Sequence, residues 1–161
     1  MYCEVAVNNL HALDDVKQSG CFAKIRTGGL KPEAIPSRAD VAAFIGACAE
    51  RRLAFKATAG LHHPIRKEHR LTYDADAPRA IMHGFLNVLM ASAFAWQGER
   101  QIEPIVSEMD AGAFSFDERA HWGKRSLSAA EIRDARKNFM HSVGSCSFEE
   151  PVQDLKELGL L

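Results

Sequence analysis

The sequence predicts an α/β fold with parallel strands, a (β/α) half-barrel of four to five βα units. Three observations lead there. Strand-like and helix-like segments alternate from end to end, which implies parallel pairing through right-handed crossovers. The strand-like segments are polar on one set of alternate positions: Glu4, then Lys24 and Arg26, then Lys56 and Thr58. The other set is apolar or small: Val5 and Val7, Ala23 and Ile25, Phe55 and Ala57. Side chains alternate sides along a strand, so one face packs on helices and the other looks into a charged interior. An open doubly wound sheet, covered on both faces, would need strands that are apolar almost throughout. At 161 residues the chain is also shorter than the roughly 250 residues of a complete eight-stranded barrel.

The elements follow in order. YCEVAV (2–7) is a short apolar run suited to a strand. In LHALDDVKQSG, Leu10, Leu13 and Val16 have helical spacing, and Gly20 suits the C-terminal cap. CFAKIRTGG returns to strand character and ends on Gly28 and Gly29. Ser37 caps a helix whose Val41, Phe44, Ile45, Cys48 and Ala49 form one apolar stripe. LAFKATAG is the third strand, and the polar stretch 67–80 reads as a mobile loop. An apolar helix runs from about His83 to Trp96, and GAFSF (112–116) is read as a fourth strand. Ser128 and Glu131 have capping-box spacing before a helix with the stripe Ile132, Ala135, Phe139 and Val143. SVGSCSF is a fifth, short strand, and Pro151 and Gly159 bracket a last helix. No linker, repeat or biased tract divides the chain, so 1–161 is read as a single domain.

Composition narrows the function classes. The chain is 47% apolar and 25% charged with a net charge of −1, which argues against broad attraction to nucleic acid or an anionic membrane. The apolar run GFLNVLMASAFAW (84–96) is too short to span a bilayer, and no signal-peptide pattern opens the sequence. Cys3, Cys21, Cys48 and Cys146 are scattered without a CxxC pair, so reduced thiols and a cytoplasmic location are expected.

AKIRTGG, FKATAGLHHPIR, HGFLNV and GSCSFEEPVQDLKELGLL together resemble the C-terminal part of a family of uncharacterised bacterial TIM-barrel-like (β/α) proteins. That resemblance covers nearly the whole chain and implies a barrel-like α/β fold, with no activity attached. A lysine on a strand followed by a glycine turn also looks like the phosphosugar aldolases of the same barrel class.

The candidate site is expected at the C-terminal strand ends, where βα folds keep their chemistry. A lysine on an inner strand face beside other cations is placed for neutral-amine attack on a carbonyl, and Lys56 and Lys24 fit that description. The competing reading is a structural ion pair with Glu4. Two lysines and Arg26 against one glutamate leave surplus positive charge, which an anionic ligand would offset. His62 and His63 follow Gly60 and can serve as general acid and base, or bond loop carbonyls instead. Zinc is not expected, because adjacent histidines seldom direct both rings at one ion. A zinc hydrolase using His62, His63 and His83 stands only as a third reading.

Anion contacts are expected from Gly28 and Gly29, Arg26 and Arg66, Thr58, the helix start at His83 with Asn87, and Ser145 and Ser147. Cys146 has a nucleophile reading without an identified base. RKEHR (66–70) reads as a solvated loop or lid. The sequence thus predicts a protein that binds a small anionic metabolite, phosphorylated or carboxylate, with no cofactor. In that reading it is an aldolase-type lyase with Lys56 as Schiff-base amine, Lys24 and Glu4 around it, and His62 or His63 moving protons. The alternative is a non-catalytic truncated barrel that binds or scaffolds. An exposed parallel edge invites pairing, so a homodimer is expected in either case.

Overall fold

The computed structural model describes residues 1–145 and 147–161. The chain runs β1 (Tyr2–Glu4), α1 (Ala12–Gln18), β2 (Phe22–Arg26), α2 (Arg38–Glu50) and β3 (Phe55–Thr58). A hairpin of β4 (Lys67–Arg70) and β5 (Arg79–Met82) comes next, then α3 (Phe85–Trp96) and the short α4 (Glu103–Ser107). Three more strands, β6 (Phe114–Phe116), β7 (Arg119–Trp122) and β8 (Arg125–Ser128), lead into α5 (Ala129–Asn138), β9 (Met140–Gly144) and α6 (Glu149–Glu157).

The fold is mixed α/β, with a four-stranded parallel sheet in the order β1-β2-β3-β9. The expected alternation is present in its register. Glu4 sits beside Lys24 and Lys24 beside Lys56, while Arg26 sits beside Thr58. On the opposite face Ala23, Ile25, Phe55, Ala57 and Met140 are buried in the core with residues of α1, α2, α3 and α5. The polar face has no such cover: Glu4, Phe22, Arg26 and Ser142 are exposed there, and Lys24 and Lys56 are half-buried.

That polar face is concave. Tyr2 on one outer strand and His141 on the other meet through a 2.6 Å hydrogen bond between Tyr2 Oη and His141 Nδ1. In a flat sheet those strands would lie about 14 Å apart, three spacings of roughly 4.8 Å. Side chains standing upright on a flat sheet could not meet across that gap, so the sheet curls toward them. Phe22 fills the space between, with its ring centroid 5.3 Å from Tyr2 and 5.0 Å from His141.

Local sequence explains most element boundaries. In α2 the Ser37 hydroxyl accepts from Asp40 N and the Asp40 carboxylate accepts from Ser37 N, and Ser128 and Glu131 make the same box at α5. Gly20 and Gly159 take left-handed φ values of 69° and 67° just past α1 and α6. Cys3, Cys21 and Cys48 are free thiols. Among the described residues, no helix is long and apolar enough to cross a membrane.

Three expectations are corrected. The stretch 67–80 is not a bare loop, because its two ends lie in the antiparallel strands of the β4–β5 hairpin. There the charged residues Lys67, Glu68 and Arg70 stay exposed while His69 turns inward. GAFSF does not join the parallel sheet: β6 pairs antiparallel with β7, and β7 with β8, in a separate meander. The fourth parallel strand is β9 instead, so Val143 belongs to a strand rather than to the α5 stripe, and it is exposed.

Strand ends β2 and β3 cross closely at two glycines. A Cβ on Gly28 would lie 2.8 Å from Gly60 Cα, a backbone atom that cannot step aside. Gly46, inside α2, has nothing near its own missing Cβ. Gly28→Ala should therefore lower stability by about 1–3 kcal/mol. Gly46→Ala should raise it by about 0.5–1 kcal/mol through helix propensity alone. Urea midpoints at constant m-value distinguish the two signs.

Candidate functional site

Two polar regions flank the C-terminal half of β3. The first is the concave face. Lys24 Nζ lies 2.6 Å from Glu4 Oε2, and Arg26 Nε lies 3.5 Å from Glu4 Oε1. The hydrogen bond from Lys24, reinforced by Arg26, holds the Glu4 carboxyl below the usual carboxylate range. Lys24 is thus an ion-pair partner in the folded chain. Lys56 differs, for its ammonium stands 4.5 Å from the Tyr2 ring centroid and has no carboxylate partner among the described residues. Thr58 spends its hydroxyl on the Ile25 carbonyl at 3.3 Å.

The second region is built where the chain leaves β3. Ala59 and Gly60 both take left-handed φ, 64° and 76°, and the Ala59 carbonyl accepts a 2.6 Å hydrogen bond from the Thr27 hydroxyl. That turn throws His62 and His63 toward α6. His63 Nδ1 lies 2.6 Å from Asp154 Oδ2, and the His63 ring stacks on His69 with centroids 3.4 Å apart and planes 9° from parallel. His62 Nδ1 lies 3.3 Å from Glu150 Oε2 and 3.0 Å from Ser145 Oγ. Tyr73 Oη donates to the same Glu150 oxygen at 3.1 Å. His62, His63, His69, Tyr73 and Glu150 wall a cavity of about 290 Å³, which Arg70 and Thr72 also line.

A nucleophile relay needs its hydroxyl and its carboxylate on opposite ring nitrogens. Here Ser145 and Glu150 both address Nδ1 of His62, so these three do not compose such a relay. The carboxylates instead decide which ring nitrogen carries the proton in each histidine. Among the described residues, no group of three or more His, Cys, Asp and Glu side chains is arranged to hold a metal ion.

The remaining predicted site residues lie apart from this cavity. Asn87 is fully buried: its Oδ1 accepts from Arg66 N at 2.9 Å, and its Nδ2 donates to the Ile105 and Glu108 carbonyls. The amides of Phe85 and Leu86 at the start of α3 already donate to the His63 and Pro64 carbonyls. His83, only 2% exposed, bonds the Pro36 carbonyl through Nε2, and burial depresses its proton affinity. Arg66 keeps a buried Nε, and its loss of hydration beside Arg38 lowers its pKa. Gly28 is used for close packing on Gly60, while a Cβ on Gly29 would strike Ala34 Cβ. Ser147 Oγ accepts from Glu150 N at 3.2 Å and so caps α6. The reading of Cys146 lies outside the described residues.

Sequence reasoning missed His69, Tyr73, Glu150 and Asp154. The α6 pair was detectable, because carboxylates four residues apart share one helix face. His69 and Tyr73 were not, since only the hairpin brings them to β3. Comparison of the chain with protein-family models, curated proteins and solved structures finds no match in any of the three.

Burial pushes the His69 imidazole down to about 4 from an ordinary 6.5, with His63 adding to the effect. The folded chain therefore holds this proton less tightly than the unfolded chain does. The resulting stability is fully present above pH 6.5 and is lost as pH falls toward 4. His69→Phe keeps a ring against His63 but has nothing to protonate. Its melting temperature should drop less than that of the wild type between pH 6.5 and pH 4. Parallel curves would show that His69 is not a source of acid sensitivity.

Proposed function

We propose that the protein binds a small anionic metabolite, phosphorylated or carboxylate, at the C-terminal strand ends and moves protons on it through His62 and His63. The carrying observation is the pairing of both imidazoles with carboxylates of α6 at a cavity that also presents Arg70. Arg70 has no carboxylate partner among the described residues, so it is available to an anion. A cavity of about 290 Å³ suits a metabolite of a few heavy atoms. Within this reading the four sequentially ordered parallel strands and their open, charged face form a segment of a (β/α) barrel.

A lysine-dependent, aldolase-type lyase is the sharper form of the proposal. Support for it comes from Lys56, half-buried, without an acidic partner among the described residues and beside a Lys24 that Glu4 already neutralises. Lys56 does not line the histidine cavity, so the carbonyl carbon would have to reach it across the concave face. The second reading, a non-catalytic homodimeric scaffold, rests on that same face. Parallel sheets are ordinarily covered on both sides, and here one side is open while β1 and β9 have free edges.

Titration with inorganic phosphate, followed by NMR of the imidazole C–H groups, should move His62 and His63 selectively. Arg70→Gln should weaken that binding about tenfold. Unmoved imidazoles, together with a dimer by light scattering, would favour the scaffold. For the lysine chemistry, borohydride treatment with pyruvate should add the mass of the keto acid less one oxygen at Lys56. The amine adds to the carbonyl, water leaves, and hydride reduces the iminium. Equal labelling of wild type and Lys56→Met would end the Schiff-base reading.

A further inference from the structure

A second, larger cavity, of about 750 Å³, runs along the outer edge of β9. Its walls are apolar: Phe85 and Leu89 of α3 on one side, Val152 and Leu155 of α6 on the other, and Val143 of β9 between them. No Asp or Glu among the described residues lines it. Its one lining residue with a permanent positive charge, Arg136, is exposed on the last turn of α5 and has no ion-pair partner among the described residues. Arg136 and His141 mark one end of the cavity, Ser145 and Ser147 the other.

These features together describe an amphipathic ligand. An apolar trough without acidic groups, ending at an unpaired guanidinium, matches a molecule with a hydrocarbon body and an anionic head. The walls also set its length. From Met140 to Ser145 the extended backbone spans about 16 Å, at roughly 3.3 Å per residue. An extended acyl chain of about ten to twelve carbons fills that distance. None of the residues of α6 is buried, and Phe148 before it is 84% exposed. The outer wall is anchored by partly buried Leu155 against the core and by the contacts of Glu150 and Asp154 with His62, Tyr73 and His63.

From this geometry we infer that the β9 edge is a binding site for a medium-chain carboxylate, its head group on Arg136 and its tail between α3 and α6. The site shares no lining residue with the histidine cavity, and the inference does not depend on the proposed metabolite function. A carboxylate oxygen would accept from the Arg136 guanidinium, and each methylene would leave water for the Phe85, Leu89 and Leu155 surfaces.

The test is calorimetric titration of the intact protein with octanoate, decanoate and dodecanoate below their micellar concentrations. Affinity should rise about three- to fourfold per methylene. Arg136→Gln should weaken dodecanoate about tenfold and leave dodecanol unchanged. Val152→Trp, which fills the trough from α6, should abolish both while circular dichroism stays native. Absence of saturable binding, independence of chain length, or an unaffected Arg136→Gln each overturns the assignment. So does a dimer that dissociates on Val143→Lys and binds no dodecanoate, because a second copy would then occupy the edge.

Discussion

Everything in the parallel sheet turns on the alternation at β3. Phe55 points into the core, where its ring lies 5.4 Å from Phe44 of α2 and 5.1 Å from Phe139 at the end of α5. Its backbone amide donates to the Phe139 carbonyl at 2.7 Å, joining β3 to the chain that becomes β9. The next residue, Lys56, must face the other way. One buried aromatic thus orients the charged face as well as the apolar one. A shift of one residue in register would exchange the two, placing a lysine in the core and a phenylalanine in water.

The same strand delivers the site. Its end is pinned by the Gly28–Gly60 contact and by the Thr27 hydroxyl on the Ala59 carbonyl, which together hold an alanine at positive φ. A strained turn kept in place by its surroundings makes a rigid platform for the two imidazoles just beyond it, His62 and His63. The hairpin supplies His69 and α6 supplies Glu150 and Asp154, so two separate segments converge on one loop. The cost is a half-buried imidazole at His69 that resists protonation, which ties the integrity of this region to pH.

The concave face and the β9 edge show what the fold leaves open. The face carries Lys24, Arg26 and Lys56 against Glu4, a surplus of positive charge that water or an anion must balance. The edge combines free backbone groups with exposed Val143 and an acid-free trough among the described residues. Each exposure has a distinct chemistry, one cationic and hydrophilic, the other apolar with a single permanent cation at its rim among the described residues.

Reading the chain alone was enough to locate the parallel strands at 2–4, 22–26 and 55–58, their two faces, and the capped helices α2 and α5. Those are local or period-two properties, carried by neighbouring residues. The fourth parallel strand was legible only in part: GAFSF and SVGSCSF both read as strands, and β9 overlaps the second at 142–144 while GAFSF pairs in the antiparallel meander. The partners of His63 and His141 were beyond reach because they lie far away in the chain. His63 meets Asp154 across 91 residues, and Tyr2 meets His141 across 139. Sequence patterning records which side of an element faces inward. Which distant side chains then share a cavity depends on the sum of all the turns and crossovers between them, and that was decided only in three dimensions.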